Sequence, residues 1–127
     1  MKNEELFRTV YKTAMLLGRE AAEQCTPTPM VVCQRNNPLN DQSEIVKQYH
    51  VPQGVCGFAW AIIRPGNSPF ANWLKKYKLG GKAYEGGVCI WMSDYEQCYE
   101  KKVAHCSAMV RYLKRVGIKA YLESRLD

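Results

Sequence analysis

The sequence predicts one mixed α/β (α+β) domain over residues 1–127: an N-terminal helix, a small mixed sheet and a C-terminal βαβαβ unit. Three observations predict it. The first two dozen residues repeat apolar positions at three- and four-residue steps. Two short apolar runs, bounded by glycine and proline, read as central strands. A long helical period then separates the second run from a final β-rich segment. A chain of 127 residues that is 46% hydrophobic suffices for one core without metal or disulfide staples.

From Asn3 to Gln24, Leu6, Val10, Ala14, Leu17 and Ala21 mark an amphipathic helix with Asn3 as a candidate N-cap. Thr26-Pro27-Thr28-Pro29 ends it, because proline lacks a donor and restricts the residue before it. Met30–Cys33 reads as a short strand, Asn36–Asp41 as a turn, and Ser43–Val51 as either a short helix or an edge strand. Val55–Ile63 is apolar at every position, the pattern of a strand covered on both faces. Pro65-Gly66-Asn67 breaks it, and Ser68-Pro69 is an N-cap followed by a favoured first helical residue, opening a helix to Tyr77. Gly86-Gly87 leads into a second central strand, 88–93. A long helix over Tyr95–Val116 is closed by Gly117, and Ile118–Leu122 forms the last strand. Strands alternating with helices in the second half predict that part of the sheet is parallel.

Eighteen Lys and Arg against twelve Asp and Glu give +6, which favours anionic partners. No apolar run approaches the roughly 20 residues needed to span a bilayer. The start is polar and acidic with no signal-peptide core, so the expected compartment is the cytosol of the producing or infected cell. Six cysteines without a Cys-x-x-Cys pair read as small, buried, reduced residues. His105 and Cys106 are helix neighbours about 100° apart and ill-placed to share a metal. No cofactor is expected. No nucleophile elbow, catalytic triad or metal-binding histidine pair is visible, so the chain reads as a binding protein rather than an enzyme.

Three features suit a phosphorylated ligand. On the long helix, Val103, Cys106, Val110 and Leu113 form the core stripe, and Arg111 and Arg115 fall roughly opposite it with Ala104 and Ala108. Small residues let a backbone or planar ligand approach, and two guanidiniums one turn apart can grip a phosphate. The plain alternative is a solvated basic face with good helix formers. Arg64-Pro65-Gly66-Asn67-Ser68 joins a strand to a helix start, whose free N–H groups suit an anion, though by itself an ordinary capped helix explains it better. Tyr84, before Glu85-Gly86-Gly87, is placed to stack on a base, whereas Phe58, Trp60 and Trp91 alternate with apolar neighbours and read as core.

Gly54-Val55-Cys56-Gly57-Phe58-Ala59-Trp60, Arg64–Ser68, Gly86–Ser93 and Gly117–Tyr121 with Ser124-Arg125 resemble a family of small phage and prophage proteins, the first-described anti-Thoeris sponges. The resemblance spans residues 26–127. It implies a protein that binds cyclic ADP-ribose-type immune signals and releases them intact, some members also holding cyclic di- or trinucleotides. It implies a homodimer or larger homo-oligomer, with ligand at the subunit interface. By position it assigns the phosphate-binding arginines to Arg111 and Arg115, with Arg64 as a third. It assigns base stacking to Tyr84, where phenylalanine is expected in the family, and a polar contact to Asp94, where asparagine is expected. Because a carboxylate repels phosphate, Asp94 must face a ribose hydroxyl or an amine. The backbone near Ser124 and Arg125 is expected to fold over the site as a clamp. Other readings stay open: a basic nucleic-acid-binding accessory protein, a protein–protein inhibitor of a host defence complex, and, less favoured, a nucleotide hydrolase or lyase.

Overall fold

A computed structural model describes residues 2–35, 45–51 and 54–127. The element order is α1 (Lys2–Gln24), β1 (Met30–Arg35), β2 (Ile45–Val51), β3 (Gly57–Ile63), α2 (Pro69–Lys76), β4 (Gly81–Lys82), β5 (Val88–Trp91), α3 (Tyr99–Arg115) and β6 (Ala120–Leu126). This is the mixed α+β class that the periodicities predict. The segment read as helix or edge strand is strand β2, paired antiparallel with β1 in a separate two-stranded sheet. The turn expected at 36–41 lies outside the described residues. No described helix is long and apolar enough to cross a membrane.

The main sheet has the order β4-β5-β3-β6, and every neighbouring pair is antiparallel. The expected parallel pairing is therefore corrected, for a reason of connection. Helix α2 leads into β4, which shares the direction of β3, and the β4–β5 hairpin then turns the chain so that β5 lies between β4 and β3 and runs against both. The 17 residues of α3 span about 25 Å and return the chain. Hence β5 and β6 share a direction, but β3 lies between them. The β-α-β-β-α-β order is that of the split βαβ motif.

Ser68 caps α2 as the sequence predicts, its hydroxyl accepting from the Ala71 N–H at 3.4 Å, with Pro69 at the first turn. Helix α3 starts at Tyr99, four residues later than periodicity suggests, because Tyr95 and Glu96 adopt positive φ and form a turn. The last strand reaches Leu126 rather than Leu122, since β6 pairs with the whole of β3. Gly87 sits at φ +90°, and a Cβ there would lie 2.7 Å from the Ile63 carbonyl oxygen; only glycine lets this turn close against the end of β3.

All three helices cover one face of the sheet. Val10 and Ala14 of α1, Phe70 and Leu74 of α2, and Met109 and Leu113 of α3 bury together against Ala61, Ile63, Val88 and Ile90. Helix α3 lies between the sheet and α1, so it is buried on two sides. Lys101 binds α3 to the end of α1, its Nζ donating to the carbonyls of Ala22 at 2.8 Å and Cys25 at 3.0 Å. The last turn of α1 carries no basic residue of its own, and Lys101 supplies the positive charge that a helix C-terminus favours.

Candidate functional site

The structure brings the seven candidate residues to different places. Arg111 and Arg115 project from successive turns of α3 into a shallow groove of about 250 Å³ against α1. Leu17, Ala21 and Gln24 of α1 form the far wall, and Ala108 and Tyr112 the near one. Both guanidiniums are exposed. Among the described residues neither has a carboxylate partner. The small residue at Ala108 admits this chain's own α1. That accounts for half of the alanine-and-arginine face without a second subunit and leaves the two arginines unaccounted for.

Tyr84 and Arg125 lie elsewhere, in an open groove of about 500 Å³ with Trp60, Lys82, Trp91 and Glu123, on the sheet face turned away from the helices. Tyr84, in the β4–β5 turn, is fully exposed. Arg64 leaves the end of β3 towards the same side. Its Nε donates to the Gly86 carbonyl at 3.3 Å, and its guanidinium lies 5.5 Å from the Tyr121 ring centre. Asp94 is near neither groove's lining. Its carboxylate accepts from Arg19 of α1 at 3.0 Å, so its charge is already matched by an amine-type partner. Ser124 exchanges a 2.8 Å hydrogen bond with the Tyr99 hydroxyl. Ser124 and Arg125 belong to β6, paired with Ala59 and Phe58. The expected clamp is corrected: this backbone is committed to a sheet ladder and is not a free tail.

Phe58, Trp60 and Trp91 also depart from expectation. Along β3, Phe58, Trp60 and Ile62 alternate with Ala59, Ala61 and Ile63. The alanines are fully buried beneath the helices, and the large residues face outward. Trp91 is 47% exposed and stacks on Trp60, its cross-strand partner, at 5.0 Å and 14°. The strand is apolar on both faces, but one face lies open. The signal was the alternation of Ala59 and Ala61 with Phe58 and Trp60, because close helix packing favours small residues on the covered side.

No family model, curated protein or solved structure matches this chain.

The chemistry of the remaining polar groups is therefore read from their surroundings. Cys98 and Cys106 are buried and Cys25 and Cys89 half-buried, whereas Cys56 is exposed, contrary to a uniformly buried set. Burial pushes the Cys106 thiol up to about 12 and raises Cys25 and Cys89 as well, which keeps these sulfurs protonated and poorly nucleophilic. Among the described residues no three of His, Cys, Asp and Glu gather as a metal site. His105 is fully buried. One ring nitrogen, Nδ1, bonds the Tyr95 hydroxyl at 2.8 Å, and Nε2 has no hydrogen-bond partner among the described residues. Neither groove is lined by a histidine. The α1–α3 groove presents two guanidiniums, an amide and a phenol, and no carboxylate, imidazole or thiol. Such a lining suits an anion, and among the described residues it offers no nucleophile or general base beside one.

Proposed function

We propose that this chain captures a small phosphorylated, nucleotide-like signal of the cyclic ADP-ribose type and holds it without degrading it, as do the phage anti-Thoeris sponges that it resembles. The observation that carries the reading is the pair Arg111 and Arg115: two exposed guanidiniums one helical turn apart, free of carboxylates among the described residues and set beside a groove. That spacing suits the two phosphates of a diphosphate. Forked, charge-assisted bonds contribute about 1.5–3 kcal/mol each. The absence of an attacking group from the groove's lining favours capture over cleavage. A sponge must outcompete the effector for its signal, so nanomolar affinity is required, about −12 kcal/mol. Two arginines do not reach that value alone. In this reading the Tyr84 ring of a second copy stacks on the base and supplies the remainder.

The test is retention. The protein is mixed with cyclic ADP-ribose isomers, freed of unbound ligand, heated, and the supernatant analysed. Intact ligand is expected. Altered ligand would make the chain an enzyme, and no ligand would reject the proposal. Arg111→Ala with Arg115→Ala is expected to weaken retention at least ~100-fold. The melting temperature of the unliganded protein should stay near wild type, because the two side chains are exposed and make no described ion pair.

A further inference from the structure

We propose that the open face of the four-stranded sheet binds single-stranded nucleic acid, stacking bases on the row Phe58–Trp91–Trp60. This goes beyond the small-ligand reading: it shares the groove that holds Tyr84 but makes no use of the Arg111 and Arg115 pair.

The first support is an inverted strand pattern. A sheet with one face in water ordinarily sends its polar residues outward. Here the two central strands, β3 and β5, send their aromatic residues outward, while Ala59 and Ala61 of β3 and Val88 and Ile90 of β5 turn inward. Phe58 and Trp91 centre 5.6 Å apart and Trp91 and Trp60 5.0 Å apart, so the three rings form one continuous surface. Trp91 remains half exposed upon it. All three helices pack on the opposite face.

The second support is charge. Arg125 lies 5.2 Å from the Phe58 ring centre, and Arg64 and Lys114 lie 5.5 and 5.9 Å from that of Tyr121. Lys82 lines the groove beside Trp91. Two carboxylates, Glu85 and Glu123, share that groove. Among the described residues neither forms an ion pair with these four cations. A rim of four cations against two carboxylates, on a chain of charge +6, complements a phosphate backbone.

The third is shape. A small-molecule pocket encloses most of its ligand, whereas this groove of about 500 Å³ stands open to solvent on the sheet face. An extended strand gains its affinity from successive bases on successive rings, as on other sheet platforms. A duplex hides its base faces and cannot use them.

The probe is a fluorescein-labelled ten-nucleotide oligothymidylate, followed by anisotropy and by quenching of tryptophan fluorescence at low salt. Saturable binding with quenching is expected, with a duplex of equal length bound at least tenfold more weakly. Trp91→Ala should weaken binding about tenfold or more, and Trp91→Phe should stay within about threefold. Should Trp91→Ala fail to fold, Arg125→Gln provides the second reading: weaker binding and a salt slope shallower by about one. The Arg111→Ala, Arg115→Ala double variant should bind the oligonucleotide as wild type does, so failure of the sponge reading and failure of this one are separately visible. Absence of binding, equal affinity for duplex and single strand, or an unchanged Trp91→Ala would overturn the proposal. So would acrylamide failing to reach Trp91 in the free protein, which would mean that a second copy covers the face.

Discussion

His105 shows how one residue can carry a pH dependence without taking part in binding. It is completely buried, Gly18 of α1 sits against its ring, and among the described residues only Tyr95 offers it a hydrogen bond. Burial first, and then the charge of Arg19, lower its pKa from 6.5 to about 4, with Asp94 opposing. Between pH 6.5 and 4 the unfolded chain therefore binds a proton that the folded chain does not, so protonation favours unfolding. Stability is full above pH 6.5 and is expected to fall by about 2 kcal/mol by pH 5. Melting temperatures measured from pH 7.5 to 5 check this. The drop should vanish in His105→Gln, and a wild-type profile already flat across that window would contradict it.

At the scale of elements, α1 and α3 pack closely at Gly18. A Cβ at Gly18 would lie 2.6–2.9 Å from three atoms of the His105 ring, closer than carbon atoms pack. Glycine inside a helix normally costs about 1 kcal/mol relative to alanine, so the sequence gives up helix propensity for proximity. Gly18→Ala is expected to destabilise by about 1–2 kcal/mol, overpacking outweighing the propensity gain. Urea titration measures it. In a His105→Ala background the same change should become neutral or stabilising, because the obstructing ring is gone. A stabilising effect in the wild-type background would mean that the helices separate freely. The same packing explains Ala22, fully buried on α1, and Ala108, buried on α3. These small residues are used inside the chain, which leaves Arg111 and Arg115 as the part of that face available to a ligand.

For the whole molecule, the two candidate half-sites do not meet within one copy. Arg111 and Arg115 lie among the helices, while Tyr84 lies in the groove on the sheet's other face. In the sponge reading, one ligand uses both only if it bridges two copies. In a two-fold dimer each site would take Tyr84 from one protomer and the arginine pair from its partner. Mixing Tyr84→Ala chains with Arg111→Ala, Arg115→Ala chains, each inactive alone, would then make half the dimers mixed, each with one intact site. Retention of about a quarter of wild-type capacity is expected after subunit exchange. No recovery would show that the site is not shared between subunits. The two guanidiniums were legible from helical periodicity alone, as were the Ser68 cap and the exposure of Tyr84 beside a double glycine. The partner of Asp94 was not. Arg19 lies 75 positions away, and nothing in the local pattern of either residue points to the other.

Local chemistry determined which segments become helices and strands, since apolar spacing, proline and glycine act within a few residues. It also determined the net charge and the outward arginine pair on α3. Tertiary structure alone decided that the sheet is antiparallel, because strands that share a direction are kept apart: β5 enters by a hairpin between β4 and β3, and β3 lies between β5 and β6. It decided that the helices crowd onto the alanine side of β3 and leave Trp91 exposed and Phe58 and Trp60 part-exposed, because a strand apolar on both faces marks its covered side only by residue size. It also set Ser124 and Arg125 into a strand, since a segment near the chain end shows no pairing partner until a distant strand presents its free edge.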